Sequence, residues 1–235
     1  MPDIAFPAVG REWRGQLSVP SEQPGPWPGI VVIHEAFGLT DDMRRTADEI
    51  AAHGYLALAP DLFDGKSWIR CVRSAFKQLH AGQGPAFAVI DAAGAALSAR
   101  PDCTGKTGVI GFCMGGGFAL LCAPGHGFDV AAVNYGEVPK DAERLLSGAC
   151  PIVGSYGGRD LMGTAHPERL QRALAVLQVP HDVEVYPGSG HRFMTESGGA
   201  AGTMLARITR MSFQPADAAD AWRRIFAFFD RYLAS

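Results

Sequence analysis

Along most of this chain, short aliphatic runs alternate with longer stretches of helical periodicity, and this alternation restricts the fold more than any other feature. The runs fall at 29–34 (GIVVIH), 55–59, 107–112 (TGVIGF), 130–134, 151–156 (PIVGSY) and 181–186 (HDVEVY). Most are apolar at successive positions, not alternate ones, which is how strands buried on both faces read. Helical patterns occupy the intervals, near 40–53, 68–80, 85–100, 118–122, 140–146 and 166–178. In the first of them Thr40 can cap the start, Asp41 and Asp42 suit the positive end of the helix dipole, and Gly54 stops the turn. A last helix over 216–233 sets Trp222, Ile225, Phe226, Phe229 and Leu233 on one stripe. The pattern predicts an α/β fold with a mostly parallel central sheet and helices on both faces. Residues 10–19 are expected to add an antiparallel edge strand, SEQPGPWPG a turn between early strands, and 197–202 (SGGAAG) a mobile loop. No internal repeat is visible, and 235 residues suit one domain spanning 1–235.

Composition narrows the function classes. The net charge is −3 and the basic residues are scattered, so neither a nucleic-acid footprint nor a polybasic membrane patch is expected. Apolar stretches reach only five to seven residues, far short of the ~20 that a membrane-crossing helix needs. The opening residues lack a basic start followed by an apolar core, which makes a cytoplasmic location the expectation. Five cysteines without a C-x-x-C pair suggest neither a disulfide framework nor a zinc ribbon. Gly115, Gly116 and Gly117 lack dinucleotide-loop spacing, and Cys103–Thr107 lacks the upstream glycine of a phosphate loop and precedes a strand instead of following one.

The chemistry is concentrated at Gly111-Phe112-Cys113-Met114-Gly115, between a strand and a helix. This is the G-x-nucleophile-x-G elbow with cysteine as the nucleophile. Such a turn strains the nucleophile's backbone and leaves no room for Cβ atoms two residues to either side. It lifts the side chain to the carboxyl edge of the sheet, where parallel sheets bind ligands, and the following helix directs N–H groups at a thiolate or an oxyanion. Taken alone, the motif also fits a glycine-rich turn around a buried cysteine. A thiol nucleophile needs a base, and the base needs an orienting acid. Asp160 follows one later run, in YGGRD, and His191 follows the next, in PGSGHRF. The order Cys113, Asp160, His191 is the nucleophile–acid–base order of the α/β-hydrolase plan. Separately, Asp160 also fits a turn carboxylate and His191 a loop histidine. Met114 and either Ala36 or Phe37 would supply oxyanion N–H groups from the backbone. Glu35, at the end of VVIHE, would hold a neighbouring thiol protonated by like-charge repulsion, or else is a solvated loop carboxylate.

With these residues in view, the chain resembles the dienelactone hydrolase family of α/β hydrolases. The matching segments are HEAFGL at 34–39, GYLALAPDLF at 54–63, GVIGFCMGGG at 108–117, YGGRD at 156–160 and YPGSGHRF at 186–193, within a resemblance spanning about 28–233. The resemblance implies an α/β-hydrolase fold and a carboxymethylenebutenolidase-like ester or lactone hydrolase acting through a thioester. It also implies Cys113 as nucleophile, His191 as base and Asp160 as orienter, with Glu35 engaging the resting thiol. No metal or organic cofactor is implied, and the partner is a small ester or lactone bound by a monomer or small homo-oligomer. Family members use two arginines for a substrate carboxylate, one of them four residues after the histidine, where this chain has Thr195. Arg192, Arg70 and Arg73 are the replacements to consider, the last two also fitting a solvated helix face. Phe37, Phe63, Trp68, Tyr135 and Phe193 are candidate pocket walls or core residues. The rival functions are an amidase or peptidase with the same triad, and a non-catalytic binding or thiol-sensing protein.

Overall fold

The computed structural model describes residues 3–64, 68–195 and 213–234; the loop expected at 197–202 lies outside them. Eight strands form one sheet: β1 (Asp3–Ala8), β2 (Arg11–Ser18), β3 (Trp27–Ile33), β4 (Leu56–Pro60), β5 (Cys103–Phe112), β6 (Val130–Asn134), β7 (Ile152–Gly157) and β8 (His181–Tyr186). Their spatial order is β1-β2-β4-β3-β5-β6-β7-β8. Strands β3 to β8 run parallel to one another, β2 is antiparallel to its neighbour β4, and β1 is antiparallel to β2. The helices are α1 (Asp41–Ala52), α2 (Trp68–Ala81), α3 (Pro85–Ser98), α4 (Met114–Cys122), α5 (Ala142–Leu145), α6 (His166–Val176) and α7 (Pro215–Leu233).

The aliphatic runs are apolar throughout because the sheet has a core on each face. On one face Val31, Leu58, Val109 and Val133 meet Leu79 of α2, Ile90 of α3, Phe118 of α4 and Leu174 of α6. On the other, Ile30, Val32, Ile110 and Phe112 meet Met43 and Ile50 of α1 and Trp222, Ile225 and Phe229 of α7. Helix α4 is buried at every residue, so it shows no polar face. In α1, Thr40 accepts a hydrogen bond from the Met43 N–H at 3.4 Å, as its position predicts.

The sequence expectation fails at one strand. Segment 10–19 does form the antiparallel β2, but β2 is not the edge, because β1 pairs outside it. The reason is the two-residue turn at Val9 and Gly10, where φ is +50° and +72°. Both values are positive, as in the tight hairpin turn whose twist matches its strands. A β-branched valine is a poor signal for that turn, so the hairpin is hard to read from the sequence.

The connections position the site. From β3 the chain moves outward through α1 to β4, then crosses back over β3 through α2 and α3 to β5. The order therefore reverses between β3 and β5, and parallel sheets leave a crevice at such a point, outside the carboxyl ends of their strands. Glu35 follows β3 and Cys113 follows β5.

Candidate active site

Cys113 joins β5 to α4 with φ +55° and ψ −116°, a conformation costly for any residue with a side chain. The turn is held by the Cys113 N–H donating to the Asn134 carbonyl at 3.0 Å and by the Cys113 carbonyl accepting from the Gly117 N–H at 3.2 Å. The flanking glycines are steric necessities. A Cβ on Gly111 would lie 1.9 Å from the Gly115 carbonyl oxygen, and one on Gly115 would lie 2.3 Å from the Ile33 carbonyl oxygen. Strand β3 thus packs directly against the first turn of α4, and the thiol stands half-buried above the sheet.

The loops after β7 and β8 bring the other two groups together. The Arg159 N–H donates to the Ser189 carbonyl at 2.8 Å, and the Gly158 N–H to the Tyr186 carbonyl at 2.8 Å. Asp160 and His191 then meet while buried, with His191 Nδ1–H donating to Asp160 Oδ2 at 2.7 Å. The other Asp160 oxygen accepts from the Met162 N–H at 2.8 Å. Burial alone would lower the His191 pKa, but Asp160 and the neighbouring Cys113 outweigh it and raise it from 6.5 to about 10. Nε2, the remaining ring nitrogen, is buried without an aligned hydrogen-bond partner among the described residues. The ring packs edge-on against Tyr135, 5.1 Å between centroids.

The hydrogen bonds of Glu35 go to side chains other than the thiol. Glu35 is buried, and its carboxylate accepts from Arg192 Nε at 2.7 Å, from the Thr195 hydroxyl at 3.0 Å and from the Tyr135 hydroxyl at 3.3 Å. Burial raises its pKa, against the opposing pull of Arg192 and Thr195. Tyr135 feels the charges of both Glu35 and Cys113, so it links the carboxylate to the thiol's surroundings. Arg192 is therefore already paired. It sits at φ +62°, and its guanidinium lies over the Phe37 ring at 4.9 Å. Thr195, which stands where family members carry an arginine, contributes its hydroxyl to this buried network. No spacing rule signals that role, because the contact spans 160 positions of sequence.

A cavity of about 340 Å³ opens beside the thiol. Cys113, His191, Asp160, Tyr135 and Met114 border it on the sheet side, and Phe76, Leu79 and Met162 give it an apolar side. Its polar rim carries His166, His80 and Glu137, the last two joined at 3.0 Å. Neither Arg70 nor Arg73 borders this cavity. Arg70 borders a larger one of about 540 Å³ with Arg11, Trp13 and Cys71, and Arg73 is exposed on α2. Phe193 is fully buried and packs on Tyr135 and Tyr186, so it is core. Phe63 packs edge-on against His34 at 4.8 Å, and the exposed Trp68 donates from Nε1 to the Ala36 carbonyl at 2.8 Å. The backbone N–H groups of Ala36, Phe37 and Met114 donate to no other group among the described residues. No helix among those residues is long and apolar enough to cross a membrane.

Known proteins resemble this chain over almost its whole length. A Yersinia pestis protein provisionally named carboxymethylenebutenolidase is 27% identical over 248 residues, covering 98% of this chain and 88% of that protein. The carboxymethylenebutenolidase of Rhodococcus opacus is 26% identical over 226 residues, covering 91% and 84%. The crystal structure of a Klebsiella pneumoniae protein, provisionally named dienelactone hydrolase, superposes with a TM-score of 0.79 at 24% identity over 98% of both chains, a shared fold. The family model described as the dienelactone hydrolase family matches residues 14–233, and the chain belongs to that family of hydrolases.

Proposed function

We propose that this hydrolase cleaves a small carboxylic ester or lactone by way of a thioester on Cys113. The observation that carries the reading is a buried Asp160–His191 pair bordering the same cavity as a cysteine on a strained elbow. Asp160 accepts from Nδ1, so Nε2 is the nitrogen that exchanges protons with the reacting groups. With the proton already held on His191 Nε2, the Cys113 sulfur attacks the carbonyl carbon of the substrate as the thiolate. The carbonyl π electrons move to oxygen, and that oxyanion lies within reach of N–H groups from Met114 and from Ala36 or Phe37. Collapse of the tetrahedral species expels the alkoxide or enolate, which takes the proton from His191. A water then loses a proton to Nε2 and adds to the thioester, and collapse releases the acid and restores Cys113 beside the protonated His191. The aligned Cys–His hydrogen bond that the resting site lacks is expected to tighten when substrate excludes water.

The test is hydrolysis of a p-nitrophenyl ester together with iodoacetamide labelling. Cys113→Ala should lose both the ester activity and the single reactive thiol. Turnover by the alanine variant at the wild-type rate would sink the assignment. Comparing cis- and trans-dienelactone with plain aryl esters, and an ester with the matching amide, then fixes the substrate class.

A further inference from the structure

At the far end of α4, about 13 Å along the helix from Cys113 by the rise per residue, a second group of chemically capable side chains converges. Asp91 projects from α3, Cys122 is the last residue of α4, and His126 lies in the loop that follows. Each offers one donor atom, and the three atoms lie within 4.8 Å of one another. His126 Nδ1 is 2.7 Å from Asp91 Oδ1. No sequence pattern marks a metal here, because the three residues come from two helices and a loop, and the cysteines lack the paired spacing of a ribbon.

We infer that Asp91, Cys122 and His126 form a zinc-binding site. The donor set is one oxygen, one sulfur and one nitrogen, a mixture that suits Zn²⁺ and is foreign to the all-oxygen sites of Ca²⁺ and Mg²⁺. Charge balances: a carboxylate and a thiolate neutralise the dication, and the imidazole binds uncharged. Tetrahedral bonds of 2.0–2.3 Å put ligand atoms roughly 3.3–3.7 Å apart, so the present separations, all within 4.8 Å, differ from the bound ones by only about 1 Å. Three protein ligands leave the fourth position to water. Burial, Asp91 and Cys150 hold the Cys122 thiol well above its ordinary pKa. Without metal it is an unreactive thiol, and binding Zn²⁺ releases its proton to solvent. The site would clip α3 to the loop between α4 and β6. It is independent of the catalytic reading, since no residue is shared.

The experiment uses the full chain, stripped with a chelator and dialysed, and titrated with Co²⁺ as a spectroscopic stand-in for Zn²⁺. One Co²⁺ per chain should bind, with the sulfur-to-cobalt charge-transfer band of a thiolate ligand and the visible bands of tetrahedral cobalt, and Zn²⁺ should displace it. His126→Ala and Asp91→Ala, at partly exposed positions that should tolerate change, should each weaken binding by roughly tenfold or more. Cys122→Ser should lose the charge-transfer band, and Cys113→Ala should keep it. Zn²⁺ should raise the melting temperature of the wild type and not of His126→Ala. The inference is overturned if no charge-transfer band appears, if His126→Ala and Asp91→Ala bind as tightly as the wild type, or if Cys113→Ala abolishes the band.

Discussion

A buried imidazole would ordinarily be kept neutral, yet His191 is held near 10 because a carboxylate lies 2.7 Å from one side of the ring and a thiol lies near the other. Its folded value therefore lies above the 6.5 of a free histidine. The sign of the linkage follows. The stabilisation is fully present below about 6.5 and is lost as pH rises toward about 10. Nuclear magnetic resonance of the ring should show the proton retained through neutral pH. In Asp160→Asn the midpoint should drop by roughly 1 to 3 pH units, and the loss of stability across that window, read by urea unfolding, should flatten. An unchanged midpoint would mean that Asp160 does not support the cation. Glu35 makes a different case. Its partner Arg192 has a side chain only 14% exposed, so Glu35→Ala strands a buried cation and should cost about 3 kcal/mol. Removing Arg192 as well should cost less than the sum of the two single changes, the mark of a coupled pair. Additive losses in urea unfolding would count against the pairing. The carboxylate's place at the carboxyl end of β3 was legible in the sequence, but its partners were not, because side-chain reach across a folded sheet leaves no trace in spacing.

At the scale of elements, the parallel part of the sheet was readable because strands buried on both faces must be aliphatic at every position, and β4 and β6 are buried throughout. The elbow was readable for a steric reason: Gly111 and Gly115 stand where any Cβ would meet a backbone carbonyl. The amino-terminal hairpin was not, because its turn uses Val9 in a left-handed conformation without the usual Asn or Asp. That exception predicts its own remedy. Val9 is half exposed, so Val9→Asn removes the strain of a β-branched residue at positive φ without emptying the core. It should stabilise the chain by about 1 kcal/mol, seen as a higher urea midpoint at unchanged slope. A destabilised variant would show that Val9 contributes packing that outweighs its backbone cost.

The whole molecule couples the reactive loop to the layer behind the sheet. Helix α7 fills one core with Trp222, Ile225 and Phe229, and it also grips the carboxyl end of β8 and the loop beyond. Ser189, fully buried two residues before His191, donates to Asp217 at 2.6 Å, and the Tyr186 hydroxyl donates to Asp220 at 2.9 Å. The segment that carries His191 is therefore held by a helix that does not border the cavity. Asp217→Ala should leave the Ser189 hydroxyl buried and unpaired, at a cost of about 1 to 3 kcal/mol. If α7 positions the loop, kcat for ester hydrolysis should fall while KM changes little, because the base is displaced and the apolar cavity wall is not. Phe229→Ala supplies the control. It should cost about 3 to 5 kcal/mol by opening a cavity in the same core, yet at low temperature, where the variant stays folded, it should keep kcat near the wild-type value. Asp217→Asn, which retains an acceptor for Ser189, should restore most of the rate. Equal losses of kcat in Phe229→Ala and Asp217→Ala would mean that α7 serves the site only by holding the fold together.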